Sequence, residues 1–400
     1  MIFVSAHVYH FFLDVNQMRK VFKAILRFFR EADVFLFALS LISAIFGIIM
    51  LSSILKNTDR GYGEMYVQIG ALIIGVALFV LFSYVDIDII ADKSWVLLII
   101  SILFVSTLWF WGVGAEETGN KSWLRFFGIG IQPSEVVKIT FIIIIAKMMA
   151  DQKERKTLNS FLSLLQILLI FAIYFGLIIY VSDDLGSAIV YVFILIAMMF
   201  IGGIKLRWFA LGAGAVATVS PLIWLNFMTQ LQRDRIIAPF APDLLDTETL
   251  NKIMWQARQS VTAIASGGFK GQGFGNGRLT QRHLIFAQHT DFIFSAVGEE
   301  LGFAGCMLVV LLLVMIISRC IYTGIKSNNP LGLLVCSGVA AMLIAQTIEN
   351  IGMCLGLLPV IGITLPFFSY GGSSIVTCFA AMGVVSGIKM RPKPVRFSMM

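Results

Sequence analysis

One carboxylate stands where this chain turns apolar. Asp291 sits inside "AQHTDFIFSAVGEELGF" (287–303), and the run beyond it stays largely apolar to Ile317. A partly buried carboxylate resists ionising and gains basicity, which is the physics of a general base. A second group lies in "GIQPSEVVKITFIIIIAK", where Glu135 and Lys138 are three apart. That spacing puts both on one helix face, where they can pair. Lys138 beside Asp291 would keep the aspartate charged. The pair also has a plain reading, as an ion pair that locks helix packing. A third group is "LPFFSYGGSS" (365–374), with Ser369, Tyr370, Gly371, Ser373 and Ser374. It reads as a broken helix at membrane depth, which survives only where it lines a cavity. Arg233 and Arg235, with Gln256, Gln259 and Ser260 farther on, lie in a stretch rich in Arg and Gln. Arginines suit a phosphate. His289 and Thr290 flank Asp291, and His289 reads as a helix cap or hydrogen-bond partner rather than a second base.

The elements that hold these groups follow from length and hydropathy. A span needs about 20 apolar residues. Such runs lie at 34–55, 65–84, 95–113, 132–150, 161–181, 184–202, 206–226, 289–318, 332–355 and 367–388. The expectation is an all-α polytopic membrane protein with ten transmembrane helices and a long extracellular loop, 227–288, between the seventh and eighth. In the eighth, Asp291, Ser295, Gly298 and Gly302 share one face aimed into the bundle, Glu299 lies near it and Glu300 points away. Within the loop, "IMWQARQSVTAIASGG" suits a short amphipathic helix. "GGFKGQGFGNG" reads as a flexible turn rather than a phosphate cradle, because it bridges no strand and helix.

The chain has 400 residues, 58% hydrophobic and 13% charged, against about 25% charged in soluble domains. Its formal charge of +7 comes from Lys and Arg between spans, so it does not point to nucleic acid. With the N-terminus inside, eighteen Lys and Arg fall on the cytoplasmic side and four on the short outer loops. Both termini are then cytoplasmic. Residues 1–32 form an amphipathic N-terminal segment, 33–390 the membrane domain and 391–400 a tail. The five cysteines have no paired metal spacing and read as small core residues.

Five blocks carry a resemblance: "QPSEVVK" (132–138), "DDLG" (183–186), "WQARQS" with the later "SGGFKGQGFGNG" (255–277), "HTDFIFSAVGEELGF" (289–303) and "LPFFSYGGSS" (365–374). In order and spacing they resemble the signature blocks of the RodA/FtsW/SpoVE family, the SEDS proteins, over roughly residues 33–390. The resemblance implies a peptidoglycan glycosyltransferase that joins lipid II into a nascent glycan strand at the outer face of the bacterial cytoplasmic membrane, beside a class B penicillin-binding protein. It maps the family's catalytic aspartate to Asp291, its Glu and Lys to Glu135 and Lys138, and its Arg-containing stretch to Arg233 and Arg235. The metal ligands stay unknown, and a divalent cation, Mg or Mn, at the pyrophosphate stays open. Two departures stand out. Ile285, Phe286 and Ala287 replace the family's Leu-Pro-Glu, and Ser182-Asp183-Asp184 replaces its Gln-Pro-Asp.

Two other classes compete with the enzyme. One is a lipid II flippase with Glu135, Lys138 and Asp291 along its path, for which Glu299 and Glu349 are the best support. The other is a scaffold without catalysis. Apolar inner stretches such as "FIIIIA" favour the enzyme.

Overall fold

A chain in lipid must satisfy its backbone hydrogen bonds within each segment, and the α-helix does so. The computed structural model describes residues 28, 30–57, 62–114, 121–126, 129–226 and 228–391. Its long helices are α1 Val34–Ile54, α2 Gly63–Tyr84, α3 Ser94–Ser106, α4 Pro133–Glu154, α5 Phe161–Ser182, α6 Leu185–Gly202 and α7 Leu206–Asn226. They continue as α8 Gln230–Phe240, α9 Thr247–Gly267, α10 Ile293–Lys326, α11 Pro330–Cys354 and α12 Gly372–Met390. One antiparallel hairpin, β1 Leu124–Phe126 with β2 Ile129–Ile131, leads into α4. Apart from residues 28 and 30–32, the amphipathic segment 1–32 lies outside the described residues, as does 392–400 of the tail.

Among the described residues, nine helices are long and apolar enough to cross a membrane. The fourth expected span, α4, is not one of them: Glu135, Lys138, Lys147 and Lys153 dilute its apolar run. It is nonetheless central, for Phe141 to Ala146 are all buried. Helix α2 packs along α12, and α11 packs against α4, α6 and α10. At one end Asp33, fully buried, caps α1 through Leu36 N and accepts from Arg319 Nε of α10 at 2.7 Å. Lys389 Nζ of α12 lies 3.5 Å away. A buried carboxylate needs such partners, and here they fasten three helices together.

Three expectations shift. The stretch 227–288 is more helical than the one short helix expected in it: α9, 21 residues long, contains that helix, and α8 precedes it. Thr229 and Gln232 form a capping box at α8, and Asp246 caps α9. Helix α12 starts only at Gly372, so "LPFFSYG" is irregular backbone rather than a helix piece. Helix α10 starts at Ile293 and runs for 34 residues with a break at Gly302 (φ 68°, ψ −163°). Only glycine adopts that conformation without strain. A Cβ there would stand 2.3 Å from Gly271 N. Gly302→Ala should therefore displace the 268–271 turn and lower stability by about 1–3 kcal/mol. Thermal unfolding in detergent checks this, and an unchanged midpoint would refute the packing argument.

Candidate functional site

Asp291 is held by a tight turn rather than by a helix. Ala287, at φ 53°, offers its carbonyl to Asp291 N (3.0 Å) and Phe292 N (3.2 Å). The aspartate thus precedes α10, and the helical face expected to carry it begins only at Ser295. From α11, Asn350 Nδ2 donates to Asp291 O at 2.7 Å and to Ile363 O at 2.6 Å. This locks the turn to the 355–371 segment. The Asp291 carboxylate then lies against Gly362, where a Cβ would sit 3.6 Å from Oδ2. Part of Asp291 stays accessible, yet the packing around its carboxylate is dense. That burial first of all pushes its carboxyl up to about 6. The neighbouring Thr290 hydroxyl opposes the shift, and the charge of Asp184 adds to it.

Glu135 and Lys138 do pair, as their spacing predicts. Lys138 is fully buried and its Nζ donates to Glu135 Oε1. Gln346 Nε2 of α11 lies 3.4 Å from Glu135 Oε2. Gln346 and Asn350 are one helical turn apart, so α11 links the pair to Asp291 with about 6 Å between the two anchoring residues. Glu349 lies between them in sequence, buried, with neither carboxylate oxygen hydrogen-bonded. Asp184, the N-cap of α6, accepts from Ser187 Oγ (2.6 Å) and Gln132 Nε2 (2.8 Å). Asp183, a departure from the family pattern, is an exposed left-handed residue closing α5.

His289 does not cap α10; Phe292 occupies that position. Its Nε2 lies 3.7 Å from Glu64 Oε2, its ring 5.6 Å from the Tyr370 ring, and its carbonyl accepts from Tyr370 N. Thr290 Oγ1 donates to Ala287 O. The serines of 369–374 are engaged within the fold. Ser369 Oγ accepts from Leu365 N, Ser373 Oγ accepts from Gln132 N and donates to Gly130 O, and Ser374 Oγ accepts from Thr364. Gly371 N and Ser369 O both bond to Gln68 of α2. Sequence reasoning missed Gln68, whose one signal is a lone amide inside an apolar run. It also missed Glu64 and Gln346.

The residues of 227–288 divide. Ser260 is buried, bonds to Ser295 and donates to Cys354 O at 2.6 Å, so it ties α9 to α10 and α11. Gln256 and Gln259 lie half-buried on α9. Arg233 Nη2 donates to Leu225 O and Met228 O, closing the turn between α7 and α8, and Arg235 is exposed. No described contact brings either arginine to Asp291.

Glu299 and Glu300 are both fully buried, against the expectation that Glu300 points away. Glu299 accepts from Leu279 N, Thr280 N and Thr280 Oγ1. Glu300 accepts from Ser53 Oγ, Gly275 N and Gln281 Nε2. The glycine-rich run folds down onto them, with Gln272 N and Gly273 N on their carbonyls. It is a pinned turn, not a flexible one. Among the described residues, no group of three or more His, Cys, Asp or Glu stands where it could hold a metal ion. A divalent cation held by such side chains alone therefore finds no donor set among the described residues.

A helical bundle with this many apolar spans, and with polar groups gathered around one helix, is a multi-pass membrane protein. The family model for the FtsW, RodA and SpoVE cell cycle proteins matches residues 33–393, and the chain belongs to that family. It is 31% identical over 372 residues to the probable peptidoglycan glycosyltransferase FtsW of Geobacter sp. (strain M18), covering 90% of this chain and 97% of that one. It is 28% identical over 336 residues to the peptidoglycan glycosyltransferase MrdB of Escherichia coli (strain K12), covering 84% and 88%. Its fold is similar to a structure from work on polymerization and crosslinking by a peptidoglycan synthase complex, with TM-score 0.76, 25% identity, and 90% and 98% coverage. It also matches the crystal structure of the rod shape determining protein RodA of Thermus thermophilus, with TM-score 0.65, 23% identity, and 91% and 98% coverage.

Proposed function

We propose that this chain is a peptidoglycan glycosyltransferase that polymerises lipid II into glycan strands at the outer face of the bacterial cytoplasmic membrane. The observation that carries the reading is Asp291: a carboxylate raised in basicity, just outside a spanning helix, with its backbone locked by Asn350. Family membership and relatives that bear this activity in their names support it.

The acceptor sugar hydroxyl of one lipid II attacks the anomeric carbon of a donor carried on a lipid pyrophosphate. Asp291 takes the hydroxyl proton as the new carbon–oxygen bond forms. The bond to the pyrophosphate breaks, and its electron pair leaves with that group. This is the base half of an inverting displacement, with a sugar hydroxyl in place of water. The leaving group needs positive charge more than a proton. Arg233 and Arg235 would have to move to supply it, since Arg233 is engaged in its own turn. Both substrates keep isoprenoid tails in lipid, which is why the base belongs at the lip. A class B penicillin-binding protein beside this chain would cross-link the product. Polymer from purified full-length protein and fluorescent lipid II tests the activity, and no polymer with an inserted, folded protein would refute it.

The transporter reading loses Glu299, one of its two supports, whose oxygens are taken by Leu279 N, Thr280 N and Thr280 Oγ1. Its other support, Glu349, has no hydrogen bond on either carboxylate oxygen among the described residues.

The proposed topology has ten spans, counting α4, with both termini cytoplasmic and 227–288 outside. A cysteine placed at Thr247, at the start of α9, should react with an impermeant reagent added outside. One placed at Lys153 should not. The opposite pattern would invert the protein and move its chemistry to the wrong face.

A further inference from the structure

A cleft of about 670 Å³ opens between α9, the glycine-rich run and the start of α10, and no residue of the Asp291 turn lines it. Its polar wall comprises Thr262, Ser266, Gln272, Asn276, Arg278 and Arg282. Much of that wall is fixed internally. Thr262 Oγ1 donates to Arg258 O, and Ser266 Oγ accepts from Gln272 Nε2 at 2.8 Å. Gln272 Oε1 accepts from Arg278 N. The guanidinium groups of Arg278 and Arg282 have no hydrogen bond or ion pair with any described residue, and both side chains are exposed. The one acid on the wall, Glu299, does not neutralise them. Its two oxygens face Leu279 N, Thr280 N and Thr280 Oγ1 at 2.7–2.8 Å. The cleft therefore offers free charged donors and no free charged acceptor. Planar guanidinium forks match phosphate geometry.

Position narrows the ligand. Thirty-four residues of helix would span about 51 Å, more than the roughly 30 Å of a hydrocarbon core. In the proposed topology the end of α10 before its break at Gly302, which carries Glu299, lies on the outer side. Leu284 lines the cleft, and the same region exposes Phe286 and a ring pair, Phe269 and Phe303, with centroids 5.9 Å apart. Charged donors beside exposed apolar groups suit a phosphate carried on a lipid.

We propose that this cleft binds a lipid-borne phosphate through Arg278 and Arg282, as a site separate from that of the reacting sugars. The phosphate belongs either to a bilayer headgroup or to an isoprenoid pyrophosphate.

The test is lipid titration of the full-length protein by native mass spectrometry. The probes are dioctanoyl phosphatidylglycerol, farnesyl pyrophosphate and inorganic pyrophosphate, with dioctanoyl phosphatidylcholine as the zwitterionic control. Each guanidinium removed by Arg278→Gln or Arg282→Gln should weaken lipid-phosphate binding about tenfold. Loss confined to phosphatidylglycerol assigns the headgroup. Loss confined to farnesyl pyrophosphate assigns the isoprenoid carrier. Added salt should weaken binding to the parent, because the arginines are exposed. The site is overturned if the double variant binds like the parent, or if the parent does not favour anionic lipid over phosphatidylcholine. Binding of inorganic pyrophosphate alone overturns the lipid assignment. Both side chains are exposed, so folding should survive, and Arg282→Gln alone carries the test if the double variant does not fold.

Discussion

Asp291→Asn should abolish glycan polymerisation and leave the protein folded and inserted. Loss of a general base costs about 10²–10⁴ in rate. The fold should survive because what anchors residue 291 is backbone: Asp291 N on Ala287 O, and Asp291 O on Asn350 Nδ2. Asparagine keeps the shape and these bonds, and loses only the basic oxygen. The parent should add a pH signature. A base must be unprotonated to act, and burial raises this carboxyl to about 6. Parental activity should therefore fall as pH drops through about 6 and level off above it. Whatever residual rate Asp291→Asn retains should lack that acid limb. The measurement is polymer length and yield from fluorescent lipid II across pH, with thermal unfolding as the check on folding. A variant that polymerises at the parental rate would remove Asp291 from the chemistry. A parental profile flat down to pH 4 would show that the base is some other group.

How far the amino-acid sequence reveals these features depends on the range of each interaction. Helix positions follow from local hydropathy, and each expected span from 34–55 to 367–388 contains a long helix. The Glu135–Lys138 pair is legible because its spacing lies within one helical turn. What fails is long-range. Periodicity extended back from α10 places Asp291 on its face, but the chain turns at Ala287 instead. Helical geometry points Glu300 outward, yet a loop from more than twenty residues upstream folds under it, with Gly275 N and Ser53 Oγ on its carboxylate. Nothing local announces such partners. The same holds for the serines of 369–374, which look free to meet a substrate and are instead bonded to Gln132, Gly130 and Thr364. Arg233, suited to a phosphate by type, closes a turn.

The Glu135–Lys138 pair carries the second large effect. The sequence suggests that Lys138 keeps Asp291 charged, but the groups that set the basicity of Asp291 are its burial, Thr290 and Asp184. Lys138 is committed to Glu135. Lys138→Met should therefore cost about 3–5 kcal/mol of stability, because it strands a buried carboxylate without its counter-charge. Whatever enzyme survives should keep the acid limb of the parent unshifted. Adding Glu135→Gln removes the stranded charge and keeps an oxygen for Gln346, so the double variant should regain most of the lost stability. Its activity then separates the two roles left for the pair. As groups that meet the substrate, Glu135 and Lys138 should leave the refolded double variant with a raised KM for lipid II and an unchanged acid limb. A double variant that is stable and fully active would reduce the pair to helix packing. A shifted acid limb in Lys138→Met would restore Lys138 as the group that tunes Asp291, against the geometry. Thermal unfolding of the four proteins in the cycle, with pH–rate profiles of those that fold, distinguishes these outcomes.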